Sequence, residues 1–477
     1  MTPIPHEDLK LLTETIQFGT EYDSALQECL ELELRKLYLQ EDKTWLGRSW
    51  QGIVLWQALL LYIAGFWQYL WKMREPMEFA QSRPQVDLSL HKTIYVIYTE
   101  WSNRTRHVLK LLDGEHCIVM MVGRLAVPSQ IQELKRILSG VDVDHSNWQW
   151  VIAGHGCESA TVSILDWYTI GRLTLKALRS MNQNSRLDVR DARYIAGVLL
   201  RMSLALRYVR WLTPMKKPQK CIFAHTGVAD SGAVDYVMRS KGSRTVHYYH
   251  GLTHGYNFFA YSSSAVCLSK YCAETTRELG GYATAQYYPL PRPSLIIPKS
   301  NNWLLLSNYA HPANVGYQTR GIHNELQLLE RVASAYKKIG FTNTHLFWKP
   351  HPTIQELPDE QKETIRSRAR SLGIVEIEEL ETSSLARFSM VITTPSTMLV
   401  DMLRAGVLPV LDKAFDLPEY HVGRCLDPML CCDSDTAYFD VYQKITQLTL
   451  NEKLFDQAWD RIGPGRAVRT FSQLEVI

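Results

Sequence analysis

Residues 390–411 read MVITTPSTMLVDMLRAGVLPVL. Met390 to Thr394 is a short apolar and β-branched run, the pattern of a buried strand. Pro395 closes it. Ser396 and Thr397 are helix-capping residue types placed just ahead of MLVDMLRA, whose apolar positions recur every three or four residues. Gly406 ends that helix, because glycine most readily takes the left-handed conformation at a helix C-terminus. Val407 to Leu411 is a second apolar strand. Strand, helix and strand in so short a span predict a parallel pair joined by a crossover helix.

The same rhythm extends upstream. WLLLSN (303–308), THLFWKP (344–350) and VEIEEL (375–380) read as strands. IHNELQLLERVASAYKKIG (322–340), DEQKETIRSRARSLG (359–373) and the short SLARF (384–388) read as helices. About five strands alternating with helices predict a parallel sheet covered on both faces. An earlier stretch repeats the pattern. KTIYVIYTEW (92–101), HCIVMMVGR (116–124), KCIFAHTGV (220–228) and RTVHYYHG (244–251) are strand-like. PSQIQELKRIL (128–138), DARYIAGVLLRMSLALRYVRWL (191–212) and DSGAVDYVMRSKG (230–242) are helix-like. Between the two stretches lies PLPRPSLIIPKSNN (289–302), whose prolines stiffen an extended connector. Residues 1–80 read as helical, with Leu26, Leu30, Leu34 and Leu37 on one face, and Pro76 and Pro84 mark a boundary. The expected organisation is a helical extension over 1–90, a first α/β domain over 91–290 and a second over 291–477. The last stretch, 450–477, reads as helical and then irregular.

Composition fits this picture. The 477 residues are 46% hydrophobic and 21% charged, enough apolar material for two cores and too much for disorder. A net charge of +3 is too small to indicate nucleic acid and suits phosphorylated substrates or an anionic lipid surface. The nine cysteines are scattered, with no CxxC pair, which points to a reducing compartment. MTPIPHEDLK has no basic stretch leading into an apolar one, so no signal peptide is expected. Gly52 to Trp71 carries no charge and is rich in Trp and Tyr. It reads as a buried helix, an interfacial membrane-docking helix or a membrane span.

In doubly wound sheets, ligands bind beyond the carboxyl ends of the strands, near the point where strand order reverses. Polar clusters follow several strands of the second domain: Ser307-Asn308-Tyr309, Lys349-Pro350-His351-Pro352 and Thr393-Thr394-Pro395-Ser396-Thr397. The last opens a helix, whose free N–H groups form an anion site, although Ser396 or Thr394 is equally an ordinary cap. Lys349 and His351 add positive charge and N–H donors. Together the clusters predict a phosphate site. GxGxxG, GxxxxGK[ST] and HExxH are all missing, so neither a dinucleotide fold, a P-loop nor a zinc protease is indicated. In the first domain, His225, Asp230, His250 and His254 follow strands and include groups fit to act as a general base. Asp230 also suits a helix cap, and His250-Gly251 a tight turn.

Lys-Pro-His-Pro after a strand, followed by the Thr/Ser-rich turn into DMLRAGVLPVL, resembles bacterial surface-polysaccharide glycosyltransferases of the two-domain GT-B fold. The polysialyltransferase-like and Kdo-transferase-like capsule enzymes are the nearest groups, and CDP-glycerol glycerophosphotransferases are similar in layout. VHYYHG is similar to the His-Gly strand end of these groups. The likeness covers roughly residues 220–412. It implies an α/β fold of two doubly wound Rossmann-like domains, with a nucleotide-sugar donor in the second, a CMP-sugar being favoured, and a glycan or lipid-linked acceptor in the first. By the same resemblance His351, Ser396 and Thr397 contact the donor phosphate, Lys349 sits in the same motif, and neither metal nor cofactor is needed; Thr394 and Ser307, from the strand-end clusters, complete the expected donor site. Asp230 is the base by this likeness and His250 the second candidate, though ADSG departs from the acidic-acidic-Gly signature. The implied setting is the cytoplasm, with peripheral contact to the inner membrane and no nucleic-acid partner.

Overall fold

The computed structural model describes residues 59–60, 62–64, 93–98, 109–122, 144, 146–153, 166, 168–170, 172, 192–223, 229–248, 262–280, 284–298, 300–310, 321–340, 345–415 and 426–466. The first sheet contains β1 (Thr93–Tyr98), β2 (Cys117–Val122), β3 (Trp148–Ile152), β4 (Lys220–Phe223), β5 (Arg244–Tyr248), β6 (Ser264–Val266) and β7 (Thr284–Gln286). Their spatial order is β3-β2-β1-β4-β5-β6-β7, and every pairing is parallel. Helices α1 (Ala192–Leu212), α2 (Ala229–Ser240) and α3 (Lys270–Gly280) belong to this half.

After a short strand β8 (Tyr288–Pro289) and the extended connector, the second sheet is built from β9 (Trp303–Ser307), β10 (Leu346–Pro350), β11 (Ile374–Glu376), β12 (Met390–Thr393), β13 (Pro409–Asp412) and β14 (Cys431–Cys432). Its order is β11-β10-β9-β12-β13-β14, again all parallel. The accompanying helices are α4 (Ile322–Ile339), α5 (Asp359–Ser371), α6 (Met398–Arg404), α7 (Asp435–Ile445) and α8 (Leu448–Ile462). β2, β4, β9, β12 and β13 are buried at every position, which explains why they show no apolar/polar alternation.

In each half the chain begins in mid-sheet, builds outward one way and then reverses. The reversal falls between β1 and β4 in the first sheet and between β9 and β12 in the second. Two doubly wound α/β sheets are the fold class expected. The strands β3, β6, β7 and β14 and the helices α3 and α7 were not foreseen. β6, β7 and β14 are two or three residues long, too short to carry a period, and exist because a neighbour supplies their hydrogen bonds. The strand expected over 375–380 is shorter and begins one residue earlier, at Ile374.

The two halves are tied together at the chain's far end. α8 packs on α3, and one core runs from Cys267 and Cys272 through Trp303 to Phe455 and Trp459. After Gly463 the chain forms β15 (Gly465–Arg466), antiparallel to β8. Lys270 N–H donates to the Gly463 carbonyl at 2.9 Å, and Ile296 N–H of the connector donates to the Gly406 carbonyl at 2.8 Å.

Most of the expected helical extension, and the helix expected at 128–138, lie outside the described residues. Within Gly52–Trp71, residues 59–60 and 62–64 are helical. Tyr62 is buried, with its hydroxyl 2.5 Å from Ser203 Oγ on α1, whereas Leu60 is exposed. Among the described residues no helix is long and apolar enough to cross a membrane.

Candidate functional site

All strands of the second sheet run the same way, so the polar residues after β9, β10 and β12 share one edge. β9 is the middle of the three: Ser307 lies opposite Pro350 on one side, and Leu306 opposite Thr393 on the other. Asn308 spans the reversal point. Its amide donates to the Pro395 carbonyl at 3.4 Å and accepts from the Thr394 hydroxyl at 2.8 Å. Thr394 N–H donates to the Leu306 carbonyl at 3.1 Å. Thr394 is therefore a buried brace, with its hydroxyl directed inward.

The turn into α6 differs from the expectation in one respect. Ser396 Oγ accepts the Met398 N–H at 3.2 Å, and the N–H groups of Leu399 and Val400 donate to the carbonyls of Ser396 and Thr397 at 3.2 and 2.9 Å. The first turn of the helix is thus already occupied. The open donors lie just upstream: among the described residues, the N–H groups of Ser396 and Thr397 meet no acceptor. Both residues are half-buried. Two successive backbone donors with two hydroxyls beside them form a concavity suited to an anion.

Across β9, His351 is exposed while its backbone is pinned. Its N–H donates to the Ser307 carbonyl and its own carbonyl accepts from Ile354, at 2.8 and 3.0 Å. Lys349 behaves differently, since its ammonium donates to the Glu378 carbonyl beyond β11. It fastens the neighbouring loop and adds positive charge to the edge.

Beneath this edge lie two buried carboxylates that sequence reasoning missed. Glu325 on α4 accepts the Ser307 hydroxyl and the Ala310 N–H, the latter at 2.9 Å, while Trp348 Nε1 donates to Ser307 Oγ at 2.8 Å. Ser307 is therefore buried in a network that holds the β9 loop to its helix. Asp412, at the end of β13, accepts the hydroxyls of Tyr309 and Tyr438 and the Arg331 guanidinium, Tyr309 at 2.8 Å and Arg331 at 3.0 Å. That guanidinium lies 5.0 Å from the Phe415 ring centre. For Glu325 the signal was legible, since it shares a helical face with Leu328, Leu329 and Val332, where a carboxylate is out of place.

Burial holds the Glu325 carboxyl above the ordinary glutamate range, and the hydrogen bonds from Ser307 and Ala310 act the other way. A carboxyl whose pKa is raised by folding contributes most below its unfolded value, and that stability is lost as pH rises through the folded value. Glu325→Gln cannot ionise. The Tm of the variant minus that of wild type is therefore expected to increase with pH across this window in paired melts; a decrease would contradict the assignment.

In the first half, β4 and β5 are neighbours, with Phe223 opposite His247. Asp230 lies in the first turn of α2, after the loop from β4. His225, His250 and His254 lie outside the described residues. Among the described residues no cluster of three or more His, Cys, Asp or Glu side chains is placed to hold a metal ion.

These features define a two-sheet α/β protein whose second half carries open backbone donors at a polar strand-end edge. No family model matches the chain, and no curated protein matches it. Among solved structures it is similar to Anabaena HepE in complex with UDP and glucose, at 8% identity and a TM-score of 0.40, covering 81% of this chain and 98% of that one. Similarity to the α,α-trehalose 6-phosphate synthase of Burkholderia multivorans is at 10% identity and a TM-score of 0.44, over 78% and 94% of the two chains. For the UDP-GlcNAc 2-epimerase of Methanocaldococcus jannaschii the values are 10% and 0.43, over 80% and 98%. At these scores no activity follows from the likeness.

Proposed function

We propose that this chain is an inverting, metal-independent glycosyltransferase of the GT-B kind. It would move a sugar from a nucleotide-activated donor, with a CMP-sugar favoured, to a surface glycan or lipid-linked acceptor. The observation that carries the reading is the junction of β9 and β12, where Ser396 and Thr397 present open N–H groups beside their hydroxyls. His351 stands on the exposed end of the next strand. The departing nucleotide gathers negative charge on its phosphate in the transition state. Donors already fixed by Asn308, Thr394 and the Ser307 carbonyl stabilise that charge without reorganising. Ser307 and Thr394 act in this scheme as supports beneath the phosphate, and Lys349 supplies potential. The acceptor hydroxyl would lose its proton to Asp230, or to His250, at the strand ends of the first sheet. The aromatic-rich Gly52–Trp71 stretch would keep the enzyme at the cytoplasmic face of the inner membrane, near a lipid-linked acceptor.

The test is a donor panel. The full chain is incubated with CMP-Kdo, CMP-sialic acid, CDP-glycerol and UDP-sugars, and nucleotide release and Tm are followed. Release of CMP from a CMP-sugar is the expected result. Release from CDP-glycerol alone would instead indicate polyol-phosphate transfer. If no nucleotide raises Tm, the donor reading falls and the alternative of a catalytically inactive binding scaffold gains.

A further inference from the structure

Helix α6 starts at the Ser396-Thr397 turn and ends where the two halves meet. In its last turn, Arg404 donates to the Gly465 carbonyl of β15 and, at 3.1 Å, to Asp401 Oδ1. Two residues on, Gly406 receives the connector's Ile296 N–H. β15 in turn pairs with β8, the segment that leaves the first sheet, and Leu290 N–H donates to the Pro464 carbonyl at 3.2 Å. Burial pushes the Tyr248 phenol up, and the positive charge of Arg404 pulls against that shift. Tyr248 is the last residue of β5, two positions before His250.

One short helix therefore leads from the strand-end edge at its start to the β15 strap at its end, with the connector held two residues further on. Leu399, Val400, Met402 and Leu403 are buried, so α6 is firmly packed. Its clasp is incompletely used. Arg404 Nε is buried and has no acceptor among the described residues. A buried donor left open is uncommon, and a guanidinium offers its donors in a rigid fork, so a small shift of one half can engage the remaining one.

We infer that Arg404 is a positioning residue, clasping the β15 strap, which pairs with β8 at the exit of the first sheet, so that the donor edge of the second sheet is held in register with the strand ends of the first. This rests on the donor reading above. It separates two quantities that a purely structural arginine would not. Donor affinity is made within the second half and should survive its loss, whereas turnover needs both halves aligned, and small misplacements at a reacting centre cost up to about 10²-fold.

Wild type, Arg404→Lys and Arg404→Gln are compared as full chains. The measurements are affinity for CMP, CDP and UDP, turnover with the active donor, and backbone hydrogen exchange at Leu290. Arg404→Gln is expected to hold nucleotide affinity within about twofold, lower kcat by about 10- to 100-fold and speed Leu290 exchange. Arg404→Lys, keeping the cation, should recover part of kcat. Unchanged kcat, a parallel loss of affinity and turnover, or a lysine variant no better than glutamine would overturn the inference. If wild type binds none of the three nucleotides, the donor reading falls. Leu290 exchange then judges the clasp alone: faster exchange in Arg404→Gln supports it, and unchanged exchange overturns it.

Discussion

His351→Ala is expected to lower turnover at saturating donor by about 10²–10³-fold, the usual cost of removing one fixed donor to a developing charge. The fall should appear in kcat more than in donor affinity, because the imidazole acts on charge that grows only as the nucleotide departs. The fold should be little affected. His351 is exposed, and the backbone bonds that pin it, to Ser307 and from Ile354, are kept in the variant. Substitutions at such surface positions ordinarily change stability by no more than about 0.5 kcal/mol. The check is steady-state kinetics beside a thermal melt. Wild-type turnover from a folded variant would remove the phosphate site from this edge.

The largest effect on stability is expected from Gly406→Val. Gly406 has φ +72°, and a Cβ there would lie 2.4 Å from the Ser294 carbonyl oxygen and 3.3 Å from Ile296. The obstruction is backbone, so a rotamer change cannot relieve it. Left-handed backbone at a non-glycine residue costs about 1–2 kcal/mol, and forced overpacking about 1–3 kcal/mol more. The connector must shift, and the Ile296–Gly406 hydrogen bond is lost with it. A drop in Tm of about 2–5 °C is expected. Gly373→Ala is the control. Its φ is +78°, but nothing lies within 4 Å of the added Cβ, so only the backbone penalty of about 1–2 kcal/mol applies. Equal losses in the two variants would show that the contact with the connector contributes nothing.

These two positions show how unevenly the chain can be read. Gly406 and Gly373 look alike in sequence, each closing a helix before a strand, and both were read correctly as helix ends. That one of them also meets the connector depends on residues more than a hundred positions away. The candidate site divides in the same manner. Ser307, Thr394 and Ser396 are similar small hydroxyls after strands. Packing makes Ser307 part of the Glu325–Trp348 network and turns Thr394 toward Asn308, leaving Ser396 at the edge. Lys349 and His351 sit two residues apart on one strand end, yet one reaches the Glu378 carbonyl and the other is exposed beyond β10. Asp412 carried no local signal, since its meaning comes from Tyr309, Arg331 and Tyr438, which meet only when α4 and α7 cover the sheet.

By itself the sequence determined the alternation of strands and helices, the extended connector and the polar clusters at the strand ends. Those follow from periodicity, β-branching and the backbone preferences of Pro and Gly, which act over a few residues. Tertiary structure alone decided the strand order, with its reversal between β9 and β12, the return of the chain as β15 onto β8, and which polar groups at the strand ends are already engaged. Each of these depends on hydrogen bonds and buried contacts between segments far apart in the chain, and a hydroxyl's partner is chosen by its neighbours in space.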